Sequence, residues 1–284
     1  MDDKEFVYSA NYKPLDSMKT AFDKYGYIII RGLLQPAELQ KVTQALEENS
    51  EIHKHAFGLS DGEDKISRQC IWSLPGNDIT GMVARSTRVV RTVEKLLSGD
   101  VAHYHSKLIM KEAKTGGKFV WHQDYGYWYK NGFVKPDMLS VLIAIDPCLK
   151  DNGCLEVLVG SHKCGRVDHM MVGGQTGADL ERVELIKLKC PLIYVELDPG
   201  DAVFFHSNVL HTSSANTSDK RRWVLISAFN LLSNNSLIQH HHPTGTRVHV
   251  VDDSAILSCT NFTDMTGKRF QEPTKNRGII PVRE

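Results

Sequence analysis

This chain of 284 residues has no excess of charge, because 34 Lys and Arg balance 34 Asp and Glu. That balance leaves no basic footprint of the kind that holds nucleic acid. No apolar run approaches the length of a membrane span, and the first residues, Met1-Asp2-Asp3-Lys4-Glu5, are acidic with no apolar leader. The last residues, Pro281-Val282-Arg283-Glu284, do not form a peroxisomal address. Cys70, Cys148, Cys154, Cys164, Cys190 and Cys259 are scattered without any C-x-x-C pair. They read as reduced thiols, and although Cys148 and Cys154 flank the turn Asp151-Asn152-Gly153, no bridge between them is expected in a reducing compartment. Internal repeats and low-complexity tracts are also lacking. These absences point to a cytoplasmic chain whose partner is a small molecule, with no nucleic acid and no membrane. Nothing in the sequence specifies an oligomeric state.

What is present suits one domain. A hydrophobic content of 41% is enough to bury a single core in a chain of this length. Residues 1–100 read as a mainly helical part, 101–232 as a β core and 233–284 as a C-terminal extension. Helical spacing of apolar residues runs over Pro14–Lys24, Pro36–Glu48 and Thr87–Leu97. Ser50–Thr80 is polar and weakly periodic, which predicts a lid loop with short helical pieces facing the substrate. Strands are predicted at His103–Lys111, Phe119–His122, Leu139–Ile145, Leu155–Val159, Val183–Leu188, Leu192–Glu196, Ala202–Phe205 and Trp223–Phe229. Eight short strands in that order suit a jelly roll of two sheets. Gly165–Asp179, rich in glycine and polar residues, predicts a mobile insertion.

The chemistry-bearing residues are His122-Gln123-Asp124, then His211, then Arg222 eleven positions later. At a strand end, His122 and Asp124 project from the same side of the backbone, so one metal can take both. A third ligand must come from elsewhere in the chain, and His211 ends the glycine turn and apolar strand Gly200–Leu210. Two imidazoles and one carboxylate form the facial triad of non-haem iron oxygenases. On its own an H-x-D tripeptide occurs often by chance as a pair of surface groups. His206 competes with His211 for the third position, although its place in the Phe204-Phe205 strand fits a core histidine better. Arg222 opens the buried strand Arg222–Asn230 and needs an anion: a bidentate carboxylate suits its planar fork, and an ordinary ion pair is the plain alternative. Ser213 offers a hydroxyl to the same carboxylate.

The string Phe119-Val120-Trp121-His122-Gln123-Asp124-Tyr125-Gly126-Tyr127-Trp128, with His211-Thr212-Ser213 and Arg222, resembles the phytanoyl-CoA dioxygenase superfamily of iron and 2-oxoglutarate dependent oxygenases. The likeness extends from Ala21–Leu34 through Asp151–Leu155 and Gly160-Ser161-His162 to Asn230. Within the superfamily the string is similar to those of ectoine hydroxylases and free-proline trans-4-hydroxylases. The resemblance implies a mainly β fold with flanking α-helices, a double-stranded β-helix of the cupin or jelly-roll kind. It further implies Fe(II) held by His122, Asp124 and His211, with 2-oxoglutarate at Arg222, Ser213 and Lys107 and O2 as cosubstrate. The implied reaction hydroxylates a small free amino or imino acid, with L-proline (trans-4-hydroxylation) first among candidates, and releases succinate and CO2.

Alternatives stay open at this point. An outward-facing strand lysine is as good a reading of Lys107. Tyr125 and Trp128, with His105 in place of a glutamine common in the family, are expected in the substrate pocket. Tyr129 is a further candidate for its wall, and Trp121 is expected in the core. The segment Leu231–Pro243 departs from the amino-acid hydroxylases, and His240–His242 reads as a run of solvated loop histidines. An acyl-CoA or another small metabolite is the alternative substrate. A non-catalytic cupin module holding zinc or manganese is the alternative function. Halogenation is disfavoured because Asp124 fills the position a halide would need.

Overall fold

The computed structural model describes residues 3–240, 242 and 245–271; His241 and the C-terminal residues 281–284, both considered above, lie outside the described residues. The strands are β1 (Glu5–Val7), β2 (Tyr27–Arg31), β3 (Phe57–Ser60), β4 (Ile66–Ser73), β5 (Val101–Lys111), β6 (Phe119–His122), β7 (Met138–Ala144) and β8 (Leu155–Leu158). They continue with β9 (His169–Val172), β10 (Gln175–Ala178), β11 (Leu192–Val195), β12 (Ala202–His206), β13 (His211–Ser213), β14 (Arg222–Leu231) and β15 (Arg269–Phe270). The helices are α1 (Asp16–Tyr25), α2 (Pro36–Glu48), α3 (Ser50–His55), α4 (Ile79–Arg85), α5 (Thr87–Leu97), α6 (Asp124–Trp128), α7 (Leu180–Lys187) and α8 (Ala255–Ser258).

One large sheet runs β1-β2-β12-β7-β14-β5-β4-β15, with β3 paired to β4, and a smaller sheet runs β11-β8-β13-β6. Side chains alternate across a strand, so the large sheet presents two different faces. Its outer face, with Leu108, Met110 and Leu225, packs against Phe22 of α1, Leu46 of α2 and Val93 of α5. Its inner face, with Ile109, Leu142, Val224 and Ile226, meets Leu155, Val157 and Val195 of the smaller sheet. Each such side chain contributes about 1.5–3 kcal/mol on burial. Two facing sheets with helices along the outside make the mainly β, cupin-like jelly roll, which is not closed into a barrel.

Three segments differ from the sequence expectation. Val183–Leu188 is not a strand but lies mostly in α7. The Asp179 side chain accepts from the Arg182 N–H to cap that helix, and Val183 and Ile186, one turn apart, bury against Leu158 and Leu210. Helical spacing and short alternation are hard to separate over six residues, and the cap decides the matter. Ser50–Thr80 is not a lid loop: it folds as α3, β3 and β4 and ends in α4, and β4 lies against β5 with Cys70 and Trp72 fully buried. Its polar residues misled because Gln69 lines a cavity while Ser67 is buried and donates to the Gly117 carbonyl. Gly165–Asp179 contains the hairpin β9–β10, turned at Gly173-Gly174, where φ of 52° and 78° suits a two-residue turn that residues with a Cβ rarely enter. The N-terminal part is mainly helical, with the strand expected at Tyr27–Ile30 present as β2 and β1, β3 and β4 in addition.

Candidate metal and cosubstrate site

Between the two sheets lies a cavity of about 300 Å³, lined among others by His122, Asp124, His211, Ser213 and Arg222. His122 closes β6 and His211 opens β13, and the two face each other directly in that antiparallel ladder, with ring centroids 4.0 Å apart. Asp124 begins α6, so the strand-to-helix junction brings it beside them. One ligand atom from each of the three lies within 4.8 Å of the other two.

The hydrogen bonds fix which atoms are offered. His122 Nδ1 donates to the Val120 carbonyl at 2.7 Å, and His211 Nδ1 donates to the Val209 carbonyl at 2.9 Å. Each imidazole therefore keeps the Nε2 lone pair for a metal. Asp124 Oδ2 accepts from the Ser140 hydroxyl at 2.6 Å, which leaves Oδ1. Burial, and then the neighbouring His211, holds the His122 imidazole well below the usual histidine range, and burial also lowers that of His211. Burial alone would raise the Asp124 carboxyl, but Lys107, the two imidazoles and Ser140 outweigh it and the net direction is down. Two neutral imidazoles and a carboxylate are the protonation states that metal binding requires, so the donor set fits a divalent ion of the Fe(II) kind.

The turn carrying His122 and Asp124 is braced from outside. Gln123 is fully buried; its Nε2 donates to the carbonyls of Gly165 and Asn208, both at 2.8 Å, and its Oε1 accepts from Val167 N at 2.7 Å. The Gln123 N–H donates to His169 Nε2 at 3.0 Å, while His169 Nδ1 donates to the Val167 carbonyl at 2.9 Å. Gly126 is required there, because a Cβ would stand 2.0 Å from His169 Cε1. The sequence reading passed over Gln123, His169 and Ser140. Only the position of Gln123 between two ligands offered a signal.

Arg222 is 4% exposed; it donates from Nη2 to the Gly153 carbonyl at 2.8 Å, and its Nε has no hydrogen-bond partner among the described residues. Burial lowers its pKa. The neighbouring Arg221 is the member with ordinary ion pairs, to Glu47 at 2.5 Å and Asp146 at 3.1 Å. Arg222 thus opens on the cavity without a carboxylate partner among the described residues, which fits the binding of one end of a dicarboxylate. Across the ladder from Arg222 stands Lys111, fully buried and absent from the sequence expectation. Its Nζ donates to the Ser213 hydroxyl at 2.8 Å, to the Ser213 carbonyl at 3.2 Å and to the Ser214 carbonyl. Burial and the Arg222 guanidinium push the lysine well below its usual range, against the opposing pull of Glu156.

The remaining expected residues separate into two groups. Lys107, His105 and Trp128 line the cavity, Lys107 and His105 on the same face of β5. Tyr125 does not: its hydroxyl donates to the Phe133 carbonyl at 2.9 Å inside an aromatic cluster, and Tyr127 lines the cavity instead. A five-residue helix turns the Tyr125 ring away, an outcome the string itself does not reveal. Tyr129 is exposed, Trp121 packs half-buried against the α7 cluster, and His206 sits beside Phe22 and His162, apart from the triad. All six cysteines are free. His242 is not a solvated loop residue. It is 6% exposed, is held by Ser73 Oγ at 2.6 Å from its Nδ1, and lines the cavity with its ring 4.6 Å from Tyr104 and 4.9 Å from His105.

Among the described residues no helix is long and apolar enough to cross a membrane. The phytanoyl-CoA dioxygenase (PhyH) family profile matches residues 22–224. L-proline trans-4-hydroxylase from Streptomyces griseoviridis is 29% identical over 241 residues, covering 78% of this chain and 88% of that protein. Ectoine dioxygenase from Nocardia farcinica (strain IFM 10152) is 25% identical over 240 residues, covering 76% and 77%. The fold superposes on EctD from S. alaskensis, in crystal structures with bound Fe and with 2-oxoglutarate and 5-hydroxyectoine. Each superposition has a TM-score of 0.69 at 19% identity and covers 89% of this chain, with 92% and 93% of the other. The chain belongs to the phytanoyl-CoA dioxygenase family and is an Fe(II)- and 2-oxoglutarate-dependent dioxygenase.

Proposed function

We propose that this chain hydroxylates a small free amino or imino acid, with L-proline as the leading substrate, at a centre formed by His122, Asp124 and His211. Iron with 2-oxoglutarate and O2 supplies an oxidant able to act on an unactivated C–H bond, with succinate and CO2 released. His122 Nε2, His211 Nε2 and Asp124 Oδ1 would hold the metal. Arg222 and Ser213 would take the distal carboxylate of 2-oxoglutarate. Lys107, whose charge acts on the Asp124 carboxylate, would face the metal end of the cosubstrate. The apolar walls, including Phe119, Leu142, Leu155, Phe205 and Ile226, exclude water from the reacting atoms. His105, Trp128 and His242 would orient the substrate so that one C–H bond faces the metal.

The observation that carries this reading is that three free ligand atoms and an arginine without a carboxylate open on one cavity. The substrate class rests on two supports. A relative at 29% identity is named an L-proline trans-4-hydroxylase. A cavity of about 300 Å³, shared with the cosubstrate, suits a small substrate better than an acyl-CoA.

The test is an anaerobic titration of the Fe(II) protein with 2-oxoglutarate, following the weak visible metal-to-ligand charge-transfer band, then a screen of L-proline and other free amino acids for succinate release and a hydroxylated product. A folded, iron-loaded protein without the band overturns the cosubstrate assignment. A band without amino-acid-dependent succinate overturns the substrate class and leaves the iron site standing.

A further inference from the structure

We infer that Lys111 is a positioning residue for the cosubstrate: it fixes the Ser213 hydroxyl as a donor into the cavity, beside Arg222. This inference rests on the reading of Arg222 and Ser213 as the site of the distal carboxylate.

The argument begins with hydrogen-bond inventory. A lysine ammonium has three protons and no acceptor, and the three acceptors around Lys111 Nζ are the Ser213 hydroxyl, the Ser213 carbonyl and the Ser214 carbonyl. With Lys111 as the ammonium, the form a docked carboxylate favours, the Ser213 oxygen accepts and its own proton points elsewhere. Among the described residues that hydroxyl donates to nothing, although Ser213 is only 6% exposed and lines the cavity. A buried hydroxyl kept from donating to protein is matched to an external acceptor.

The charge distribution agrees. Lys111 and Arg222 are partners across the β5–β14 ladder, and neither makes an ion pair with a carboxylate among the described residues. Two adjacent buried cations without an anion are unfavourable. A carboxylate docked on Arg222 and Ser213 relieves both and favours the ammonium form of Lys111. Gly153 keeps the space: a Cβ there would stand 3.0 Å from Lys111 Nζ and 2.0 Å from the Ser214 carbonyl oxygen, and its φ of 77° already favours glycine.

The experiment measures dissociation constants in the anaerobic Fe(II) protein for 2-oxoglutarate and for 2-oxobutyrate, which keeps the 2-oxo acid and lacks the distal carboxylate. Lys111→Met and Ser213→Ala are each expected to weaken 2-oxoglutarate on the order of tenfold. The double variant should be no weaker than either one, because both remove the same bond. Binding of 2-oxobutyrate and of Fe(II) should be unchanged in all three. Lys111→Gln keeps an N–H donor and is expected to recover much of the loss, which also covers the case in which Lys111→Met does not fold. Unchanged 2-oxoglutarate binding in Lys111→Met, multiplicative losses in the double variant, or a parallel loss of 2-oxobutyrate would each overturn the role of Lys111. If instead Arg222→Ala and Ser213→Ala leave 2-oxoglutarate affinity untouched, the cosubstrate site itself has been misplaced.

Discussion

His122 and His211 stand opposite each other in the β6–β13 ladder, 89 residues apart in sequence, each with Nδ1 tied to the carbonyl two residues before it. The same local bond on both strands aims both Nε2 atoms at one point, and the ladder sets their separation. Asp124 is then the member of the triad whose position depends on side-chain support, because it lies past the strand on the first turn of α6.

That support is Ser140. Removing its hydroxyl in Ser140→Ala leaves Asp124 Oδ2 without its 2.6 Å donor in a buried site. Loss of such an outer partner costs about 10–100-fold in metal affinity. Fe(II) competition against a chromogenic chelator should show that loss in Ser140→Ala and complete loss in Asp124→Ala, with both variants folded. Full iron affinity and activity in Asp124→Ala would remove the triad assignment.

Gly126→Ala tests the brace between the ligand turn and the β9–β10 hairpin. The added methyl collides with the His169 ring at 2.0 Å, so the hairpin must shift. Overpacking of this kind costs about 1–3 kcal/mol. Thermal melts should show a lowered Tm together with weaker Fe(II) binding. A lowered Tm with unchanged metal affinity would show that the brace serves the fold alone.

Much of this architecture is legible in the sequence, and the rest is hidden for identifiable reasons. The helix limits at Pro36–Glu48 and Thr87–Leu97 follow from spacing alone, and His122, Asp124, His211 and Arg222 stand out because strand periodicity and residue type coincide there. Ser140, Lys111, His169 and His242 do not stand out, since each acts on partners that only the fold brings beside it. Lys111 looks like a strand-end surface lysine, and only the sheet register places it under Arg222. The Ser50–Thr80 segment reads as a loop because β4 carries Gln69 toward a cavity and buries Ser67 against the Gly117 carbonyl, where the usual apolar alternation fails.

Acid stability follows from three buried histidines. Burial lowers His103 and His206 to about 3 and His169 to about 4. These imidazoles are neutral in the folded chain, while the unfolded chain takes up protons near pH 6.5. The stability they contribute is present in full above that pH and is lost as pH falls toward the folded values, at about 1.4 kcal/mol per unit for each group. Urea midpoints should be level from pH 8 to 7 and fall steeply from pH 6 to 5. His206→Asn should reduce that slope whatever it does to the midpoint at pH 8; an unchanged slope would mean that other groups carry the acid lability.

His242 tests where substrate selection is set. It lies beyond residue 224, where the family match ends, yet its ring closes the cavity against Tyr104 and His105, on residues of β5 remote from Arg222. A wall supplied from outside the residues that the family profile matches can change the substrate without disturbing the metal or cosubstrate. His242→Ala is therefore expected to leave the dissociation constants of Fe(II) and 2-oxoglutarate unchanged, to raise the substrate KM roughly tenfold through lost packing and hydrogen bonding, and to increase succinate formed per product. Anaerobic titrations read the two dissociation constants, and steady-state kinetics with L-proline, or with whichever amino acid the screen returns, reads KM and the ratio of succinate to product. A parallel fall in 2-oxoglutarate affinity would place His242 in support of the cosubstrate and move substrate selection to Trp128 and His105.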